Sequence, residues 1–329
     1  MKTIKWGIIG TGSISSTFAT ALNSMENVEI AAVASRSQAK ADQFGKTFHA
    51  TKAYSSYEEL AKDPDVDVVY IGTPHTEHKE NAALCIKHGK AVLCEKPLTL
   101  NEKDSRYLTE LAKEKKVFFM EAMWTKFLPT TKIVKQWIKE GRIGKLKFFR
   151  VNFGFHKEFD ASGRWLNPEL AGGALLDVGI YPITYVIHMM DRLPDKVVSS
   201  AYLGETGVDE ANVITFQYNE EGVLAELSSA VSVELGKDAV IVGDKGKIVV
   251  PFFWMAESAQ CYDETGTLID SFSTRYHANG YVFEAEEVNQ CLRDGKTESE
   301  ALPLKDTLDI MRVMDTLRSE WGLIYPQEK

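Results

Sequence analysis

Cysteine is scarce in this chain, with four in 329 residues: Cys85, Cys94, Cys261 and Cys291. None forms a C-x-x-C pair or a zinc-type spacing. That excludes a disulfide scaffold and predicts reduced, mostly packed thiols of a cytoplasmic protein. Long apolar runs are also missing. None approaches the roughly 18 residues of a membrane span, so no membrane partner is expected. Basic charge is short: 38 Lys and Arg stand against 47 Asp and Glu, a formal charge of −9 with no basic tract. Such a balance argues against a nucleic-acid binder. The first residues, Met1-Lys2-Thr3-Ile4-Lys5-Trp6, run directly into a strand-like segment and leave no room for a signal peptide. Internal repeats, low-complexity tracts and Pro/Gly/Ser-rich linkers are absent as well.

What remains is an ordinary globular composition, 44% hydrophobic and 26% charged, in a length that suits two domains. In the first third, short apolar runs (Trp6 to Ile9, Val28 to Ala34, Val66 to Ile71, Ala91 to Cys94, Val117 to Met120) alternate with helical patterns. The latter cover Ile14 to Leu22, Gln38 to Phe48, Lys79 to Lys87 and Asn101 to Lys115. Buried strands alternating with amphipathic helices predict a doubly wound parallel sheet, an α/β domain over residues 1–124. Residues 125–329 read differently. A helix over Thr130 to Lys139 precedes longer alternating strands: Phe148 to Phe155, Lys196 to Tyr202, Ala211 to Tyr218, Gly222 to Val233 and Ala239 to Val250. Asp244-Lys245-Gly246 supplies a turn within the last of these. Short loops between them predict an α+β domain with a mainly antiparallel sheet, closed by two helices, the last of which can pack back on the first domain.

Gly10-Thr11-Gly12-Ser13-Ile14-Ser15 falls where strand one should turn into helix one. The first glycine allows the tight turn, the second lets backbone approach a pyrophosphate, and the third position needs a small residue for helix–strand packing. Ser15 stands there instead of glycine or alanine. The helix N-terminus offers free N–H groups and partial positive charge to phosphates. At the end of strand two, where NAD-specific sites usually carry an acidic residue, the chain has Ser35-Arg36-Ser37. A guanidinium between hydroxyls suits a 2′-phosphate, which predicts NADP, with NAD possible, over a plain loop arginine.

Three further segments fall at the C-terminal ends of predicted parallel strands, where open α/β sheets bind ligands. They are Gly72-Thr73-Pro74-His75 with His78, Glu95-Lys96-Pro97, and Glu121-Ala122-Met123-Trp124. The second domain offers Gly172-Gly173-Ala174-Leu175-Leu176-Asp177-Val178-Gly179-Ile180-Tyr181-Pro182. If helical, this segment puts Asp177 and Tyr181 on one face, with Pro182 requiring a kink or restart just beyond Tyr181. His75 and His78 have an H-x-x-H spacing but no third ligand nearby, so no metal is expected.

These motifs resemble the Gfo/Idh/MocA family of oxidoreductases. The G-T-G-S-I-S at Gly10, the E-K-P at Glu95 and the G-G-A-L-L-D-V-G-I-Y at Gly172 carry the likeness, which runs from end to end. Within the family, Glu121 to Pro129 and Arg164 to Ala174 resemble the branch of dimeric dihydrodiol dehydrogenases and NADP-dependent D-xylose dehydrogenases. The resemblance implies a Rossmann domain carrying a nicotinamide cofactor and, beneath a large open second sheet, a sugar, polyol or vicinal diol substrate. It assigns Lys96 and Tyr181 to the catalytic pair and Asp177 to orienting them. On the cofactor side it places Gly10, Thr11, Gly12, Ser13, Ile14, Ser35, Arg36, Thr73, Pro74, His75, Glu95 and Lys96. It has His78 capping the next helix, and Arg164 and Trp165 bordering nicotinamide or substrate. Many members have histidine at the position of Tyr181, which leaves open whether Tyr181 or Lys96 is the main acid/base; Tyr181 is the favoured reading. The family also implies a homodimer or homotetramer through the second sheet. Two other functions share this fold: a non-catalytic dinucleotide-sensing regulator, and a reductase of imine or tetrapyrrole-type substrates. The set of Lys96, Asp177 and Tyr181 favours an enzyme, because a sensor needs only the phosphate loop.

Overall fold

The computed structural model describes residues 2–329. Met1, with which the first domain was expected to begin, lies outside the described residues. The chain divides into two compact units. One runs up to Trp124 and resumes over Tyr276–Met311; the other covers Thr125–Arg275 and Arg312–Lys329.

In the first unit, β1 (Ile4–Ile9) leads through α1 (Ser13–Asn23) to β2 (Val28–Ala34), and α2 (Gln38–Phe48) leads to a short β3 (Lys52–Tyr54). Then α3 (Tyr57–Lys62), β4 (Val68–Ile71), α4 (His78–Lys87), β5 (Ala91–Glu95), α5 (Glu102–Lys115) and β6 (Phe119–Ala122) follow. The six strands lie in the order β3-β2-β1-β4-β5-β6, all pairs parallel. This is the doubly wound order, in which the chain reverses direction across the sheet between β1 and β4. Strands β4 and β5 are buried throughout, as a sheet covered on both faces requires. Helix α5 shows how local chemistry sets the ends. Asn101 accepts the Asp104 N–H at 2.9 Å, acidic Glu102 and Asp104 occupy the first turn and Lys113 and Lys115 the last, which matches the helix dipole.

The sequence reading assigned all of 125–329 to the second domain, with the last helix as the segment that returns. The structure differs: α8 (Val282–Arg293) and the start of α9 (Leu304–Trp321) complete the first unit. The physical reason lies in their contacts. The buried Trp6 indole N–H donates to Asn289 Oδ1 at 3.0 Å, Asn279 donates to the Thr17 carbonyl at 2.9 Å, and Leu304 joins the apolar core beneath β4 and β5.

In the second unit, α6 (Pro129–Lys139) precedes β7 (Leu146–Gly154), and a helical segment ending in α7 (Ile180–Met190) precedes seven strands. These are β8 (Lys196–Leu203), β9 (Asp209–Tyr218), β10 (Val223–Ala230), β11 (Asp238–Gly243), β12 (Gly246–Pro251), β13 (Ser258–Asp263) and β14 (Leu268–Ser273). The eight-stranded order is β14-β13-β12-β11-β7-β10-β9-β8. Every pair is antiparallel except the central β7–β10 pair. Helix α7 packs on β7 and β10. The opposite side of β8, β9 and β10 exposes Val198, Tyr202, Val213 and Leu224.

One helical stretch bears on the expectation of no membrane partner. Pro168–Met190 is a helical stretch long and apolar enough to cross a membrane by length and composition. In the fold 89% of its most apolar window is buried inside the protein, so it reads as a core helix. The four cysteines are all buried and unpaired.

Glu121 on β6 is enclosed in the first unit, 1% exposed. It accepts hydrogen bonds from the Leu98 N–H and the Thr307 hydroxyl, both at 3.0 Å. Burial nevertheless pushes its carboxyl from the usual 4.5 up to about 7. The folded state therefore binds more protons than the unfolded chain between those values, and Glu121 costs stability as pH rises through that window. The expected outcome is that Glu121→Gln loses a few degrees less Tm than the wild type between pH 5 and about 8, measured by thermal unfolding at constant ionic strength. Parallel curves would show that Glu121 does not titrate there.

Candidate functional site

The crevice at the β1/β4 reversal is built from glycines with different jobs. Gly10 has φ +95°, and a Cβ there would lie 2.8 Å from the Gly72 carbonyl oxygen. Gly72 is equally crowded, since a Cβ on it would meet Ser15 Oγ at 2.4 Å and the Tyr70 ring at 2.9 Å. At Gly12, by contrast, a Cβ would meet nothing within 4 Å. The backbone at Gly12 is bare toward open space, which is what close approach of a ligand needs. Ser15 is fully buried. Its side chain fits at the third position of the motif because Gly72, across the contact, has none.

From this loop a cavity of about 660 Å³ extends along the first unit. Gly10, Thr11, Gly12, Gly72, Thr73 and Pro74 line it together with Ser35, Arg36, Ser37, Lys40 and Thr47; the Thr11 hydroxyl lies 3.3 Å from that of Ser35. Ser13, Ile14 and His75 do not line it; Ser13 and Ile14 form the first turn of α1 behind the loop. Lys40 was not found from the sequence. Its signal is electrostatic: α2 has no acidic residue in its first turn and places Lys40 there, where the helix dipole disfavours a cation. Two cations and several hydroxyls thus line one cavity, a donor set suited to a phosphate. Arg36 Nη1 meets Glu77 Oε1 at 3.0 Å. The bare Gly12 backbone and these cations fit a phosphorylated dinucleotide.

The Glu95-Lys96-Pro97 segment follows β5. Glu95 is buried and accepts the Tyr70 hydroxyl at 2.7 Å and the Lys96 N–H at 3.2 Å. His78, expected to cap the next helix, instead joins two loops: its ring nitrogens lie 2.9 Å from the Pro97 and Thr73 carbonyls. The N-cap position of α4 is Glu77, without a side-chain cap. His75 is buried with its ring 5.7 Å from that of His78. The Leu98 N–H bond to Glu121 fixes the far side of the loop. Lys96, 9% exposed, is therefore carried on a backbone tied to its neighbours on both sides. Trp124 stacks on Tyr281 at 4.4 Å. Glu121 and Trp124, which the sequence placed at the C-terminal end of a parallel strand, thus make these contacts within the first unit.

In the second unit, Leu175–Gly179 forms a π-helical turn that runs without a break into α7 at Ile180. The kink or restart expected beyond Tyr181 is replaced by this wider turn ahead of it. Pro182 follows within the continuous helix, just after the irregular turn. The two glycines have steric causes. A Cβ on Gly172 would meet the Trp165 carbonyl at 2.8 Å; on Gly173, with φ +116°, it would meet Asp209 Oδ1 at 2.3 Å. Asp209 is wholly buried and accepts from the Leu175 N–H at 2.7 Å and the Asn212 amide at 2.9 Å. Burial pushes its carboxyl up to about 7. Asp177 receives Arg164 Nη2 at 2.5 Å, and the same guanidinium lies 4.7 Å over the Trp165 ring. Arg164 and Trp165 are therefore brought to Asp177 within this unit.

An aromatic ring absent from the sequence reading packs beside Tyr181, and further ring pairs lie nearby in the same unit. Phe153 lies 5.7 Å from Tyr181 and stacks on Trp254 at 3.9 Å. Phe155 packs edge-on against Trp165 at 4.9 Å. The available signal was the Phe153/Phe155 alternation at the end of β7 and the run Phe252-Phe253-Trp254. Among the described residues, no group of three or more metal-ligating side chains is assembled.

Comparison with known proteins gives matches along the whole chain. Residues 4–123 match the model of an oxidoreductase family with an NAD-binding Rossmann fold, and residues 131–249 match the GFO/IDH/MocA C-terminal domain. The chain is 38% identical to a trans-1,2-dihydrobenzene-1,2-diol dehydrogenase of Xenopus laevis, over 98% of this chain and 99% of that one. It is 33% identical to the human enzyme of the same name, over 99% of each. Among solved structures, an aldose-aldose oxidoreductase from Caulobacter crescentus superposes with TM-score 0.87 at 20% identity, covering 98% of both chains. A 3-ketoreductase from Actinomadura kijaniata in complex with NADP and TDP-benzene gives TM-score 0.86 at 23% identity, covering 97% of this chain and 98% of that one. At such identities these two likenesses establish the fold.

Proposed function

The chain belongs to the Gfo/Idh/MocA oxidoreductase family, and from that premise we propose that it is an NADP-linked dehydrogenase, also able to use NAD, that acts on the CH–OH group of a sugar, polyol or vicinal diol. The observation that carries the cofactor reading is the cavity itself, lined by the bare Gly12 backbone and by Arg36, Lys40, Ser35 and Ser37. The dihydrodiol dehydrogenases at 33–38% identity support the substrate class.

A bound nicotinamide supplies the hydride acceptor in oxidation and the donor in reduction. The chain supplies the proton chemistry and the positioning. In the oxidative direction the substrate hydroxyl gives its proton to the Tyr181 oxygen as its C–H bond is broken, leaving a carbonyl. An unperturbed phenol titrates near 10 and is a poor base at neutral pH. The Lys96 ammonium acts on the same substrate and favours the phenolate. Asp177, held by Arg164, orients this pair. Phe153 and Trp254 form an apolar wall beside Tyr181, suited to the C–H faces of a ring.

Lys96→Met and Tyr181→Phe are each expected to lower kcat by about 10²–10⁴-fold while NADPH affinity stays within a fewfold of wild type. Steady-state assays with NADP⁺ against sugars and vicinal diols, paired with fluorescence titration, check this. Normal turnover by both variants rejects the mechanism; no turnover of any sugar, diol or imine by the wild type favours the sensor reading.

The wild type is expected to bind NADPH more tightly than NADH, and Arg36→Ala is expected to weaken NADPH by about tenfold, the worth of one charge-assisted bond. Equal or tighter NADH binding would reduce Arg36 to a loop charge.

Self-association through the second sheet is supported by the apolar side chains its open face exposes. Cytoplasmic residence is supported by four unpaired thiols. Cell fractionation followed by light scattering on the native protein is expected to find a dimer or tetramer in the cytosolic fraction. A monomer rejects the first reading, and a secreted or membrane-pelleted chain the second.

A further inference from the structure

The carboxylate missing from the end of β2 has a counterpart on the other side of the cavity. Among the cavity's lining residues Glu77 is the sole acid, and it enters from the turn that follows β4 rather than from β2. Its Oε1 accepts from Arg36 Nη1 at 3.0 Å. The two partners differ in exposure: the Arg36 side chain is 75% exposed, whereas that of Glu77 is 29% exposed. An exposed pair of this kind is weak and exchanges readily. The guanidinium can leave, and the carboxylate stays against the cavity wall.

We propose that Glu77 is a specificity-determining residue of the cofactor site, setting how far the site prefers NADP over NAD. The inference rests on the dinucleotide reading given above. With NADP, Arg36 leaves Glu77 for the 2′-phosphate, and the carboxylate left behind opposes the dianion. With NAD, Arg36 stays on Glu77, and the carboxylate accepts a hydrogen bond from a ribose hydroxyl, the task an acidic residue at the end of β2 performs in NAD-specific sites. Glu77 therefore lowers NADP affinity and raises NAD affinity, which makes the site more tolerant of both than Ser35-Arg36-Ser37 alone implies.

The test is titration of wild type and Glu77→Gln with NADPH, NADH, 2′,5′-ADP and 5′-AMP, with matched thermal unfolding to show that both are folded. Removing the charge while keeping the size is expected to tighten NADPH and 2′,5′-ADP by about three- to tenfold, from the lost pair and the lost repulsion. NADH is expected to weaken by about two- to fivefold, and 5′-AMP likewise. The proposal is overturned if the NADPH/NADH affinity ratio stays within twofold of wild type, if it moves toward NADH, or if all four ligands shift together. If the wild type binds neither dinucleotide, the cofactor reading itself falls and this inference with it. Wild-type binding of NADPH with an unchanged ratio in Glu77→Gln removes the inference alone.

Discussion

Two strands leave the first sheet side by side, and a ligand cavity opens between them because neither carries a side chain where they part. A Cβ on Gly10 would strike the Gly72 backbone, and one on Gly72 would strike Ser15 and Tyr70; this crowding is the constraint on which the rest of the first unit depends. It lets the β1 and β4 chain ends run against each other, and it sets the angle at which α1 starts. It also leaves room for the Ser15 hydroxyl under the helix. The bare backbone at Gly12 follows as a consequence, since the turn points it into the space the two strands vacate. Sequence motifs of this kind are often read one residue at a time. Here Gly72, outside the motif, is what makes the serine at its third position acceptable.

A second constraint is burial of acid. Glu95, Glu121 and Glu284 in the first unit and Asp209 in the second are all enclosed. Burial raises Glu121 and Asp209 to about 7 and Glu284 well above its usual range. Such groups are costly unless bonded. Three of them receive backbone N–H groups of segments that bear chemistry: Lys96, Leu98 and Leu175. The acids thus act as anchors for loops that have no regular ladder of their own. Glu284 is the exception, with no hydrogen-bond partner at either oxygen, and nothing in the structure explains it.

Legibility in the sequence followed length and locality. Strands β1, β2 and β5 were readable because each is an apolar run bounded by turn residues, and α2 because eleven residues sustain one period. β3 has three residues and α3 six, too few for either period to show. β13 and β14 alternate with small and polar residues, and so carry little apolar signal. The glycine loop, the E-K-P segment and the Asp177/Tyr181 pair were readable because each is contiguous. What escaped is what the fold brings together across sequence: Glu77 to Arg36, Arg164 to Asp177, Trp254 to Phe153. Lys40 lay between the two cases, local but visible only as a cation on the wrong end of a helix.

The partition of the chain carries a consequence for how the protein is made. Trp6 lies on β1, and the oxygen that receives its indole N–H belongs to Asn289, 283 residues further along the chain. The whole eight-stranded sheet is synthesised in between. The nucleotide-binding unit is thus opened by β1 and closed only by α8 and the start of α9, while the sheet-bearing insert can begin to order on the nascent chain before that unit is complete. Nascent α1 must wait with an uncovered apolar edge until α8 arrives. A stop codon anywhere before residue 282 would leave that edge bare for good, and quality-control machinery that recognises exposed apolar surface would have a ready mark for incomplete chains.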